Sequence, residues 1–169
     1  MAACSAALSV LAAPHRVLAG ATSSRALRFD HLHTGEHLAV EYFSDGNYVP
    51  EALSTIDQFL RDFRTGDVHA IDAGLLDFLH GLNGLTESRR PFQVITGYRS
   101  KATNEMLRHR SEGVAAGSLH MRGQAIDIRL SDVPLATLRT SALAMGRGGV
   151  GYYPASDFVH VDTGRVRIW

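Results

Sequence analysis

The sequence predicts an α+β domain, a small antiparallel sheet with helices packed on it. Between residues 50 and 86 apolar side chains recur at helical spacing, and from Phe92 onward the period shortens to two. Short strands separated by Gly, Pro and Ser fill the second half. A run of helices followed by a run of strands favours segregated layers over an alternating parallel sheet. At 169 residues the chain suits one domain with a substantial core.

Each element has its own signal. "ALRFDHLHTGEHLAVEYF" reads as two alternating strands about a Thr34-Gly35-Glu36 turn, and "SDGNYVP" as a loop. Pro50 suits a first helical turn, after which Leu53, Ile56, Phe59, Leu60 and Phe63 fall on one face. Asp72 is an expected N-cap for a second helix carrying Leu75, Leu76, Leu79 and Leu82. "RRPFQVITGYRS" is a strand ending at Gly97, "KATNEMLRHR" a short helix and "SEGVAAG" a loop. "QAIDIRL" is a strand with Ala125, Asp127 and Arg129 on one face and Ile126, Ile128 and Leu130 on the other. Pro134 opens a last helix, and "GGVGYY", "DFVHVD" and "RVRIW" are short strands.

Charge and cysteine content exclude some functions. Seventeen basic and seventeen acidic side chains cancel, so no global positive field draws the chain to nucleic acid or an anionic membrane. Cys4 is the single cysteine, which rules out an intrachain disulfide. Residues 1–24 are small and apolar, with Ala19-Gly20-Ala21 as a cleavage-like triplet, but no Lys or Arg precedes Arg16. They read as a leader lacking its basic start, followed by one catalytic domain over residues 25–169. No other segment approaches the roughly 18 apolar residues of a membrane span. The expectation is an exported domain with no stable membrane insertion after leader removal.

The chemistry lies in two stretches. In "GSLHMRGQAIDIRL" His120 precedes Asp127 by seven positions, and Gly123 offers a bend that brings them together. Asp127 sits between two isoleucines, where a carboxylate without a partner is costly to bury. In "SDFVHVDTG" His160 and Asp162 share one side of a strand, and Asp157 precedes His160 by three. Two imidazoles and a carboxylate leave a fourth position for water, the open arrangement of a catalytic zinc. Asp157 and Asp162 are both candidates to accept that water's proton. His160-Val161-Asp162 also has the H-x-D form of non-haem iron sites, but no histidine follows it as those sites require. His31, His33 and His37 read as exposed strand residues, and His69, His80 and His109 have no partner at ligand spacing.

The array Ser118-x-His120-x-x-Gly123-x-Ala125-x-Asp127 resembles the first metal motif of the zinc D-Ala-D-Ala metallopeptidases. That superfamily includes the lysostaphin-type endopeptidases and the hedgehog signalling domain. Asp157-Phe-Val-His160 resembles its second motif. The likeness runs from about Leu27 to Trp169 and is greatest to the murein endopeptidase K-like branch, through "GYRS", "SLHM", "GGVGYYP" and "DFVHVDTG". It implies a hedgehog/D-Ala-D-Ala peptidase-like fold with a zinc site on the sheet face. It further implies that His120, Asp127 and His160 bind one Zn2+, that Asp157 is general base and acid, and that Arg99 stabilises the developing oxyanion. Ser118 and Tyr152 are then expected to contact substrate, and Asp162 to orient a metal-bound histidine. Asn104, Gly149 and Gly151 are assigned to wall and fold. Two features depart from the relatives: Asp157 stands where several have Glu, and Phe158 where some have a further His.

The implied function is a zinc-dependent murein endopeptidase hydrolysing crosslinks between peptidoglycan stem peptides in the bacterial periplasm or envelope. Two alternatives share that substrate: a D-Ala-D-Ala-type carboxypeptidase, and a catalytically silent zinc-containing cell-wall binding module.

Overall fold

The computed structural model describes residues 24–110 and 113–169. The expected leader therefore lies outside the described residues except for Ser24. Strand β1 (Arg25–His31) and strand β2 (His37–Ser44) form the predicted hairpin. The segment read as a loop turns back at Asp45-Gly46 into a short strand β3 (Asn47–Tyr48) against β2. Helix α1 (Pro50–Phe59) has Pro at its start as expected but stops earlier than its apolar pattern, with Leu60 capping it. Phe63 thus lies beyond the helix, where its ring stacks on His33 at 4.2 Å. Helix α2 (Ala73–Thr86) begins at Asp72, whose side chain accepts the Gly74 amide N–H at 2.9 Å.

Strand β4 (Phe92–Thr96), helix α3 (Lys101–Arg110) and strand β5 (Ala125–Arg129) follow. Helix α4 (Leu135–Met145) leads into strands β6 (Gly149–Tyr153), β7 (Phe158–Asp162) and β8 (Arg167–Ile168). All eight strands form one sheet in the order β3-β2-β1-β4-β5-β7-β6-β8. The sheet is thus larger than expected, and it is mixed rather than antiparallel. β1 runs parallel to β4, and β6 parallel to β8. The first parallel pair has a clear cause: α1 and α2 carry the chain across between β2 and β4, and such a crossover permits parallel pairing that a tight turn cannot.

The α+β division holds in the packing. Ile126, Ile128, Val150, Val159 and Val161 pack in one core with Leu75, Leu76, Leu79 and Leu82 of α2 and Leu138 of α4. Each such fully buried side chain contributes about 1.5–3 kcal/mol relative to exposure. Because side chains alternate along a strand, Asp127, His160 and Asp162 go to the opposite face. Asp77 of α2 ties the hairpin edge to the helices. It accepts hydrogen bonds from Arg25 (2.6 Å), Tyr42 (2.9 Å) and Tyr48 (2.8 Å). No helix among the described residues is long and apolar enough to cross a membrane.

Candidate metal centre

β5 and β7 pair with Asp127 directly opposite His160. His120 reaches the same point from a 3-10 turn, Leu119–Arg122, that ends at Gly123 with φ of 65°. A Cβ at Gly123 would collide with the Ala70 carbonyl, so the bend and the close approach both require glycine. The start of α2 fixes both flanks of the site. The Asp72 N–H donates to Gly123 O at 2.9 Å, and its carboxylate accepts the Thr163 hydroxyl at 2.6 Å.

Three donor atoms converge in this buried spot. His160 Nδ1 and His120 Nε2 lie 2.9 and 3.3 Å from Asp127 Oδ1, and 3.1 Å from each other. Atoms bound about 2.0–2.1 Å from one tetrahedral ion stand roughly 3.3 Å apart. The outer ring nitrogens assign the tautomers. His120 Nδ1 faces the Gly97 carbonyl at 2.8 Å, which only accepts, so it carries the proton there. His160 Nε2 faces the Asp162 carboxylate at 3.0 Å and likewise donates. In their neutral forms both rings turn a lone pair toward Asp127 Oδ1. That donor set fits a cation, and two imidazoles with one carboxylate suit zinc.

The two imidazoles differ: burial alone would lower His160, but its hydrogen bonds to Asp127 and Asp162 outweigh it and raise the ring above its usual value. Burial alone would raise the Asp127 carboxyl, but the charges and hydrogen bonds of His120 and His160 outweigh it and hold the group below the usual carboxylate range. Burial pushes His120 down, toward the neutral form that a metal needs. Asp162, fully buried, is held by the Gly149 and Gly164 amides and by two nitrogens of Arg167, at 2.7 to 3.0 Å. Its own burial would raise its carboxyl, but these partners together with His160 keep it ionised.

The cluster opens into a cleft of about 440 Å³ whose lining includes Arg99, Ser118, Tyr153 and Trp169. Arg99 is buried, with Nη2 3.7 Å from Asp127 Oδ2 and Nη1 3.4 Å from Asn104 Oδ1. Its Nε has no protein partner among the described residues. Asp62 pins the loop that carries it, accepting the Ser100 amide at 2.9 Å and the Arg64 amide at 3.0 Å.

Residues 19–169 match the family model described as "Peptidoglycan L,D-endopeptidase MepK". The chain belongs to this peptidase family. A curated relative from Escherichia coli (strain K12), named peptidoglycan L,D-endopeptidase MepK, is 48% identical over 145 residues, 86% of this chain and 80% of that protein. One from Shigella flexneri with the same name matches equally. A probable peptidoglycan L,D-endopeptidase MepK from Haemophilus influenzae is 42% identical over 166 residues, 96% of this chain and 89% of its own.

Two of the residues that family resemblance assigned to the site lie elsewhere. Asp157, the expected proton acceptor, caps the turn Pro154–Ser156 in a left-handed conformation (φ 54°). That turn directs its carboxylate to Arg129 Nη1 at 2.6 Å, and it lines a neighbouring pocket with Gln93 and Leu135 instead of the metal cleft. Tyr152, an expected substrate contact, packs against the core, with Arg139 over its ring at 5.0 Å. Gly151 opposes His160 on β7, so strand alternation turns Tyr152 inward and Tyr153 into the cleft. The cleft face of Gly151 is covered by the Trp169 indole, which a Cβ there would approach to 2.7 Å. Tyr153, Trp169 and Arg167 are among the cleft residues that the sequence analysis did not assign. The phase of Gly149-x-Gly151 was the available signal for Tyr153. Among the remaining histidines, His31 is buried beside Phe59 and Phe63, His37 pairs with Asp30, and His69 stacks on Tyr98.

Proposed function

We propose that the chain is a zinc-dependent peptidoglycan L,D-endopeptidase, acting in the cell envelope on crosslinked stem peptides. The observation that carries this reading is the convergence of His120 Nε2, His160 Nδ1 and Asp127 Oδ1 at the floor of an open cleft. These three atoms would hold one zinc ion. Zinc in such a site polarises a carbonyl and lowers the pKa of water toward ~7.

The protein's own groups then do the positioning. Asp162 fixes the tautomer of His160 and raises its basicity, and the Gly97 carbonyl does the same for His120. Arg99 presents a fixed, always-charged guanidinium beside Asp127, suited to charge developing on the scissile carbonyl oxygen. The cleft wall at Ser118 offers the stem peptide a hydroxyl contact. In this structure the Asp157 carboxylate pairs with Arg129, and Asp162 is enclosed behind His160.

The test is digestion of purified crosslinked muropeptides by the zinc-loaded protein, with and without chelator, beside His160→Ala. Chelator-sensitive conversion of dimers to monomers, absent from the variant, is the expected result. Release of terminal D-Ala alone would replace the endopeptidase with a carboxypeptidase. No cleavage by folded, zinc-loaded protein would leave a binding module.

A further inference from the structure

Trp169 and Tyr153 form a bonded pair over the metal centre that the reading above does not use. The backbone of Trp169 pairs with β6, its N–H donating to Val150 O at 3.3 Å and its carbonyl accepting from Tyr152 N at 3.0 Å. This lays the indole across Gly151, with its ring centroid 5.2 Å from that of His160. Arg167, which grips Asp162, also stacks on the indole at 4.8 Å. Trp169 Nε1 then meets Tyr153 Oη at 2.6 Å. The Tyr153 ring is itself clamped by stacking on Phe158 at 4.6 Å.

The direction of this bond has a chemical consequence. An indole N–H only donates, so the phenolic oxygen is the acceptor and the Tyr153 proton must go elsewhere. Among the described residues no protein acceptor takes it. Tyr153 lines the same cleft as Arg99. Two proton-bearing groups therefore border the same space beside the three metal ligands.

We infer that the Tyr153 hydroxyl is a second hydrogen-bond donor, with Arg99, to the carbonyl oxygen of the scissile peptide bond, and that Trp169 is the positioning residue that aims it. The inference rests on the endopeptidase reading. No covalent change occurs at Tyr153; its O–H strengthens one hydrogen bond as charge grows on the carbonyl oxygen.

The experiment measures kcat and KM on crosslinked muropeptides for zinc-loaded wild type, Tyr153→Phe, Trp169→Phe and the double variant, with zinc content checked in each. Tyr153→Phe keeps the ring and the stacking, and it is expected to lower kcat roughly 100-fold with KM little changed. Trp169→Phe is expected to lower kcat less. The double variant should be no slower than Tyr153→Phe, because the indole acts only through the hydroxyl. A Tyr153→Phe enzyme with the kcat of wild type overturns the inference and leaves the endopeptidase standing. Losses that multiply in the double variant overturn the assigned role of Trp169. An inactive wild type overturns both readings. Trp169 is the single tryptophan of the chain, so its emission should also shift in Tyr153→Phe, where its hydrogen-bond partner is removed. Unchanged emission contradicts the pair whatever the activity.

Discussion

Replacing Asp157 by Asn separates two accounts of proton transfer. The motif resemblance implies that this carboxylate takes the proton, and loss of a general base costs on the order of 10²- to 10⁴-fold in rate. That is about 2.7–5.5 kcal/mol of barrier. The geometry gives a far smaller effect. Asp157 Oδ2 is 2.6 Å from Arg129 Nη1, and the two side chains are 62% and 34% exposed. An exposed pair of this kind contributes roughly 0–1 kcal/mol to stability. Asp157→Asn should therefore keep kcat/KM within about 5-fold of wild type and scarcely move the melting temperature. The assay is the initial rate of muropeptide dimer loss, followed chromatographically at matched zinc content, with thermal unfolding by circular dichroism alongside. A 100-fold fall in kcat with zinc content and melting unchanged would refute the reasoning. The carboxylate would then have to leave Arg129 during turnover.

Three further perturbations test other parts of the structure. Asp162→Asn weakens the hold on His160 and leaves Arg167 without its carboxylate, so zinc affinity should fall about 10- to 100-fold in competition with a chromophoric chelator. Asp77→Ala strands the buried Tyr42 hydroxyl and removes three hydrogen bonds, for an expected loss of about 2–3 kcal/mol in urea unfolding. Burial would raise the Asp62 carboxyl, but hydrogen bonds from Thr103, Ser100 and Arg64 outweigh it and hold the group at about 2. A carboxyl lowered by folding stabilises the protein above its unfolded value, and that contribution is lost as pH falls from about 4 to about 2. The urea midpoint of wild type should drop across that window more steeply than that of Asp62→Asn.

Much of the site was legible because strand alternation is strict. The two-residue period put Asp127 on the face opposite Ile126 and Ile128, and His160 opposite Val159 and Val161, which is where the structure has them. Gly123 likewise marked the bend before β5. Features decided by tertiary contact were not legible. The parallel partners of β1 and β6 depend on where α1, α2 and the β7 hairpin return the chain, which no local period records. Asp157 was read three residues before His160, but its left-handed backbone turns the carboxylate to Arg129. Of the adjacent tyrosines, the register of Gly151 against His160 decides which one faces the cleft. Trp169 joins the site only by pairing with β6, and nothing periodic in "RVRIW" announces it.

The most direct test of the central claim is a zinc titration of the metal-free protein with muropeptide dimer cleavage as the readout. The three-donor site predicts activity that rises linearly and saturates at one zinc per chain, and no activity at any zinc level in His120→Ala, His160→Ala or Asp127→Ala. Full cleavage by the metal-free protein, or by any of those variants while folded, would contradict it.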